Sequence, residues 1–245
     1  MKKNPDYLAE TPAGALSWGP LTPGVLLKRH KRFLAEVELA DGRQVTAHTA
    51  NTGRMTGCAE PGRPVWLSHH PAASRRLPYT WEMIRMPTAL VGINTMVPNR
   101  LAALAARAGL LAELDGPARV ETEVKSGASR LDLRLTDCRG RAVLVEVKNS
   151  TLAEDGTAYF PDAVTARGAR HLAELAERAR AGERTALLVV VQRGDAERFS
   201  PADHIDPEWG RRLRAALKEG MEAWVYRAEL TLSAISLGKR LPLAL

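Results

Sequence analysis

Arg130-Leu-Asp-Leu-Arg-Leu135 and Val143-Leu-Val-Glu-Val-Lys148 are two short alternating runs joined by Asp137-Cys-Arg-Gly-Arg141. Strand side chains repeat every second residue, so Glu146 and Lys148 share one face while Val143, Val145 and Val147 line the other. The valine face suits a core. The glycine and short polar residues of the link have the character of a hairpin turn. A hairpin centred on Arg139 sets Asp132 opposite Glu146 on one face, with Cβ atoms about 5 Å apart. Two carboxylates so placed repel unless a positive charge lies between them. A hard divalent cation such as Mg2+ or Mn2+ takes oxygen ligands and keeps waters for a substrate phosphate, which suits an open carboxylate pair. Beside it, Lys148 can orient or deprotonate a bound water, or stabilise charge on a pentavalent phosphate. The reaction class this suggests is phosphodiester hydrolysis. The same residues also read as a solvent-facing strand with Asp132 paired to Arg130 or Arg134, and a one-residue slip in register moves Asp132 to the wrong face.

The chain's 245 residues allow one large or two modest domains, and its 45% hydrophobic and 26% charged content reads as ordinary globular protein. A formal charge of +7 favours an anionic partner, nucleic acid first, although genome-wide arginine bias also raises the charge. Cys58 and Cys138 lie far apart without C-x-x-C spacing, which supports neither a disulfide framework nor a zinc site and fits a reduced cytoplasm. After Met1-Lys-Lys3, the residues Asn4, Pro5, Asp6 and Glu10 stand where a signal peptide needs an apolar segment. No run approaches the roughly 18 apolar residues of a membrane span. The expectation is a cytoplasmic protein with no membrane partner; nothing in the sequence sets an oligomeric state.

Residues 1–19, rich in Pro, Gly and polar residues without sustained periodicity, read as a flexible extension. Beyond Gly24, the segments Val25–Leu27, Phe33–Leu39, Gln44–His48 and Pro64–Ser68 are short strand candidates, with turns at Asp41-Gly42 and Pro61-Gly62. Short strands at this spacing point to a small barrel, the OB-fold first. Its basic residues are interleaved with aromatic ones: Lys31, Arg32 and Phe33, then Arg54, then Arg75, Arg76 and Trp81. Cationic grooves with stacking aromatics are the means by which proteins hold single-stranded nucleic acid, so these residues are candidate DNA contacts. Read singly, each is equally a solvated charge or, for Phe33 and Trp81, a core ring.

Further on, Asn99 is placed to cap a helix through Ala102–Leu111, and a longer helix opens at Pro161-Asp162 with Leu172 and Leu175 on its apolar stripe. Thr185–Val191 is a continuous apolar run typical of a strand buried on both faces. Asp206-Pro207 supplies an N-cap and first-turn proline for a third helix. The order helix, three strands, helix, strand, helix, strand gives an α/β layer around a mixed sheet. A four-residue turn from Ser126 to Ser129 brings Glu123 opposite Asp132 as a further acidic candidate. Arg167 and His171, one helical turn apart, are candidate phosphate contacts.

Several segments together carry a family resemblance: Lys31-Arg-Phe-Leu-Ala35, Asn51-Thr-Gly-Arg-Met-Thr-Gly57, Pro78-Tyr-Thr-Trp-Glu82, Ser129-Arg-Leu-Asp132, Val145-Glu-Val-Lys148 and Phe160-Pro-Asp-Ala-Val-Thr165. With them the chain closely resembles the sugar fermentation stimulation protein A family, from about residue 24 onward. The resemblance implies a mixed α/β protein, an OB-like β-barrel over residues 20–88 followed by a PD-(D/E)xK nuclease-like mixed-sheet domain over 89–245. It implies DNA binding linked to transcription regulation of sugar genes, maltose use among them. Carried over singly, Asp132, Glu146 and Lys148 fill the nuclease motif's acidic, acidic and lysine positions, with Asp132 and Glu146 as Mg2+ or Mn2+ ligands. Leu131 stands where the motif's name has proline. No acid begins the preceding helix, where many such nucleases supply a ligand, which leaves Glu123 or an incomplete site.

Two functions follow as expectations: a DNA-binding regulator that carries a metal-dependent phosphodiesterase site, or a metal-dependent deoxyribonuclease of nucleic-acid processing. A sugar-metabolising enzyme is disfavoured, because the sequence has neither G-x-G-x-x-G nor a P-loop.

Overall fold

The computed structural model of the chain describes residues 8–70, 76–126 and 129–245. In chain order its elements are β1 (Leu8–Glu10), β2 (Ala15–Trp18), β3 (Leu21–His30), β4 (Leu34–Leu39), β5 (Gln44–His48), β6 (Pro64–His69), β7 (Tyr79–Arg85), β8 (Leu90–Gly92) and α1 (Val97–Arg107). They continue with β9 (Arg119–Ser126), β10 (Ser129–Thr136), β11 (Ala142–Ser150), β12 (Leu152–Glu154), β13 (Thr157–Phe160), α2 (Ala166–Arg180), β14 (Thr185–Val191), β15 (Arg198–Pro201), α3 (Pro207–Lys218), β16 (Glu222–Leu230) and β17 (Ala234–Arg240).

The first unit is the expected OB-like barrel. Strands run β5-β4-β3-β6-β7-β8, and a short parallel pairing of β5 with β7, Ala47 to Tyr79 and His48 to Thr80, closes the sheet on itself. Closure buries the inward residues of every strand, Leu26, Val37, Ala47, Val65, Leu67 and Ile84 among them. Trp81 is in that core too. It is fully buried, and its Nε1 donates to the Met83 carbonyl at 3.0 Å. This corrects its candidacy as a base-stacking residue: a barrel this small fills its interior with large rings. The barrel takes in β8, so it runs past the expected boundary between residues 88 and 89.

The second unit is a mixed α/β layer. Its sheet has the order β1-β2-β17-β16-β14-β11-β10-β9, parallel across β11, β14 and β16 and antiparallel on both flanks. Every residue of β14 is buried, because helices cover both faces. Val143, Val145 and Val147 pack with Leu101 and Leu104 of α1. On the opposite face Leu187 and Val189 meet Leu172 and Leu175 of α2 and Leu213 of α3. The parallel crossovers place α2 and α3 there, as right-handed βαβ connections require.

Residues 8–18 correct the reading of 1–19 as an extension. β2 pairs with β17, Leu16 opposite Ile235, and Leu16 is fully buried in the sheet's core, so this segment forms one edge of the main sheet. The two units are tied together. Gly92 N–H donates to the Gln192 carbonyl at 2.8 Å, and Met55 N–H donates to the Asp162 carboxylate at 2.9 Å. Among the described residues no helix is long and apolar enough to cross a membrane.

Candidate functional site

The β10–β11 hairpin has the register that its turn dictates: Leu133 faces Val145 and Leu135 faces Val143, a pairing centred on Arg139. Continued one step, this register sets Asp132 across from Glu146. The regular ladder ends at Leu133, however, and the Asp132 side chain takes over, its Oδ2 accepting from Val147 N–H at 2.8 Å. Side-chain alternation changes here as well. Leu133 and Leu135 belong to the core on the α1 side, whereas Leu131 packs on the α2 and α3 side. Asp132 therefore sits at a break in the pleat, where its carboxylate is available to more than one element.

One of those elements is α1. The helix begins at Val97 with Pro98 in its first turn, so Asn99 lies inside it and does not cap it. Its Nδ2 donates to Asp132 Oδ1 at 2.8 Å. Sequence reasoning missed this contact, and the signal was present: a polar residue in the first turn of a helix whose remaining inward positions are apolar. Asn99 stands where the family resemblance leads one to look for an acid.

Glu146 is buried, 2% exposed, and receives two cationic or hydrogen-bonding neighbours. Lys148 Nζ lies 2.6 Å from its Oε1, and His171 Nδ1 contacts the same oxygen. Arg167 Nε donates toward His171 Nε2 at 3.5 Å, which places the imidazole proton on Nδ1, facing Glu146. The sequence offers His171 as a phosphate contact. The structure corrects this: α2 enters with the His171 face against β11, so His171 is buried and bonded to the carboxylate. Glu146 Oε2 remains buried with no partner.

The two carboxyls are driven apart in acidity. Burial pushes Asp132 above the usual carboxylate range and the charge of Glu146 adds to it, against the opposing Val147 N–H, Lys148 and Asn99. Burial raises Glu146 as well, but the His171 hydrogen bond and the Lys148 charge outweigh it and hold the group below its usual range. Such a pair shares one proton badly and one cation well. Among the described residues no three His, Cys, Asp or Glu side chains converge on one point. Asp132 and Glu146, with the orphaned Oε2, fit a hard cation that completes its shell from waters, as Mg2+ does.

Glu123 does not join them. The β9–β10 register puts it level with Asp132, since Leu131 pairs with Val124 and Leu133 with Thr122. Its backbone, however, has φ 54°, and its exposed carboxylate lies 4.0 Å from Arg130. The expectation of Glu123 as a ligand is corrected accordingly, because the left-handed backbone turns the side chain out of the pleat.

Beside Lys148 a cleft of about 280 Å³ opens between the two units. Asn51, Thr52 and Gly53 of the barrel line it together with Asn99, Lys148, Tyr159, Phe160 and Asp162 of the second unit. The loop is held by Arg29, whose guanidinium donates to the carbonyls of Asn51 at 3.0 Å and Gly53 at 2.9 Å.

The remaining candidates lie on the barrel. Lys31 and Arg32 form the β3–β4 turn with positive φ, and both are exposed. Phe33 is 47% exposed, unusual for so large a ring. Lys31, Phe33, His48 and Arg76 line an open hollow of about 750 Å³. Arg54 is exposed in the loop above the cleft, Arg167 is exposed at the start of α2, and Arg75 lies outside the described residues.

A family model described as the SfsA N-terminal OB domain matches residues 27–93, and one described as the sugar fermentation stimulation protein RE domain matches residues 96–234. The chain belongs to the sugar fermentation stimulation protein family. The family member from Geobacter metallireducens, a sugar fermentation stimulation protein homolog, is 50% identical over 228 residues, which cover 92% of this chain and 98% of that one. The homolog from Geobacter sulfurreducens is 51% identical over 224 residues, covering 91% and 96%. The solved structure of Pyrococcus furiosus SfsA in complex with Ca2+ is 28% identical, with a TM-score of 0.85 over 94% of this chain and 98% of that chain. The division between the two family models falls between β8 and α1, where the barrel ends.

Proposed function

We infer that this family member is a DNA-binding protein with a divalent-cation-dependent phosphodiesterase site at Asp132, Glu146 and Lys148. The observation that carries the reading is Glu146: buried, ionised, tied to Lys148 through Oε1 and left with an unpartnered Oε2. A buried carboxylate oxygen without a protein partner is free to accept from a water or to ligate a cation. The Pyrococcus furiosus relative is described in complex with Ca2+, a cation of the same oxygen-preferring class.

Asp132 and Glu146 would hold Mg2+ or Mn2+. When bound, the cation supplies Lewis acidity at the phosphate and lowers the pKa of a water. The chain does the rest. Lys148, fixed by Glu146, presents an ammonium beside the cleft, where charge grows on a phosphate as water adds to phosphorus and the ester oxygen leaves. His171 holds Glu146 in place by donating from Nδ1, and Asn99 and Val147 N–H hold Asp132. The barrel hollow around Phe33, with Lys31, Arg32 and Arg76, supplies a second contact for the strand. A cationic surface with an exposed ring suits unpaired DNA.

Binding without turnover is the second reading, favoured by the lack of a third acidic side chain at the pair among the described residues. It suits a regulator of sugar genes, the role the family name suggests. Single-stranded, duplex and branched DNA, incubated with Mn2+ or chelator, separates the two. The phosphodiesterase reading expects cation-dependent products from at least one substrate and none from Lys148→Ala, with binding retained. Salt-sensitive binding with no product from any substrate would leave the regulator.

A further inference from the structure

The cleft beside Lys148 is built differently from the carboxylate pair at its edge. Its volume of about 280 Å³ falls just below the roughly 300–1,000 Å³ of small-molecule clefts, room for one aromatic heterocycle and not for a dinucleotide. Tyr159 and Phe160 both line the cleft, but consecutive strand residues face opposite ways, and the Phe160 ring packs edge-on against Trp209 in the core on the α3 side, 5.1 Å between centroids. Tyr159 is left as the ring of the cleft, braced by an edge contact with His204 at 5.4 Å between centroids.

The polar lining is equally fixed. Asn51 Oδ1 accepts from Gly53 N–H at 2.9 Å, and Asn149 Oδ1 accepts from Gln192 Nε2 at 2.9 Å. With each oxygen taken, each amide presents its Nδ2 hydrogens, and neither Nδ2 has a partner among the described residues. Gln192 is itself buried and donates to the Asn94 carbonyl at 3.2 Å as well, so the Asn149 amide is held from behind. Two oriented donors beside a braced ring match the acceptor-bearing edge of a nucleobase. Bases taken out of a stack are held this way, by a ring and by hydrogen bonds to their edge.

We propose that this cleft receives one unstacked base of the DNA strand whose phosphate lies at Asp132, Glu146 and Lys148. The proposal rests on the phosphodiesterase reading of that site, and it names the substrate class: DNA with an unpaired or extrudable base beside the phosphate. Asn51 and Asn149 donate to the base edge, and Tyr159 supplies the ring. The barrel loop that carries Asn51 thereby makes the first unit part of the site.

The test compares three duplexes of one sequence, fully paired, with a single unpaired base, and with an abasic residue at that position, in Ca2+ with the full chain. Anisotropy should show the unpaired base bound about tenfold more tightly than the abasic residue, the share that one stacked base contributes. Asn149→Leu and Tyr159→Ala, each checked for folding by thermal melting, should bring that ratio to about one. Equal affinity of the wild-type protein for the unpaired-base and abasic duplexes overturns the base cleft while leaving the phosphodiesterase site standing. A ratio unchanged in both folded variants overturns it too. Absence of binding to all three duplexes overturns the DNA reading and the cleft with it.

Discussion

The amide of Asn99 donates to Asp132 Oδ1 at 2.8 Å while Val147 N–H donates to Oδ2 at 2.8 Å, so each oxygen of the carboxylate has one donor from a different element. Asn99→Leu removes one of them and leaves burial and the Glu146 charge to push Asp132 higher still. The cation concentration for half-maximal cleavage should rise about 10–100-fold, the usual effect of losing a partner behind a metal ligand. The acid limb of the pH–rate profile should move to higher pH, because a carboxyl that is harder to ionise needs a higher pH to ionise. An unchanged cation requirement and limb would show that Asn99 only packs.

The exposed ring of Phe33 and the buried ring of Trp81 make opposite expectations. Phe33→Ala should weaken single-stranded DNA binding by about 1–3 kcal/mol with little change in melting temperature. Trp81→Ala should cost about 3–5 kcal/mol of stability through the cavity left in the barrel. Arg76→Ala should reduce the slope of log affinity against log salt by about one contact. Anisotropy titrations at several salt concentrations, alongside melting curves, check all three; a Phe33→Ala protein with wild-type affinity would show that the Phe33 ring does not contact DNA.

Gly53 packs against Asp162: a Cβ there would stand 2.5 Å from Oδ2, the oxygen that accepts from Met55 N–H. Gly53→Ala should therefore destabilise the protein by about 1–3 kcal/mol, the range for overpacking. Asp162→Ala vacates that space, so the double variant should be less destabilised than the sum of the singles. Denaturant melts of the four proteins measure the coupling. Strict additivity would mean that the loop accommodates the methyl elsewhere.

Cys58 is buried, and burial pushes its thiol up to about 11. A group whose folded pKa is raised stabilises the fold below its unfolded pKa and loses that contribution as pH rises through the folded value. Between pH about 9 and about 11, wild-type stability should fall more steeply than that of Cys58→Ala. Thiol labelling at neutral pH should modify exposed Cys138 in the folded protein and Cys58 only after denaturation. Rapid labelling of both would contradict the buried placement.

Much of this was legible from local pattern. Alternation in Val143–Lys148 and the turn around Arg139 gave the hairpin register. The apolar run of β14 announced a strand covered on both faces, and Asp206-Pro207 marked the start of α3, where the Asp206 side chain accepts from Trp209 N–H. What local pattern could not carry was contact between distant segments. β2 reads as an extension because its partner, β17, lies more than 200 residues away in the sequence, and β1 has only β2 to pair with. β7 showed no alternation, since residues Thr80 to Ile84 are all buried as the barrel closes. The candidate site was half legible: strand register suggests Asp132, Glu146 and Lys148 as neighbours, whereas His171 and Asn99 reach them from helices whose rotation only packing decides.

Single-turnover cleavage of a labelled DNA strand in Mn2+, comparing wild type with Lys148→Ala and Glu146→Gln, decides whether Asp132, Glu146 and Lys148 form a phosphodiesterase site. Chelator-sensitive cleavage by the wild type is expected, with a loss of at least about 100-fold in each variant and DNA affinity retained. Cleavage that persists in Lys148→Ala and Glu146→Gln at the wild-type rate would contradict a phosphodiesterase site at these residues.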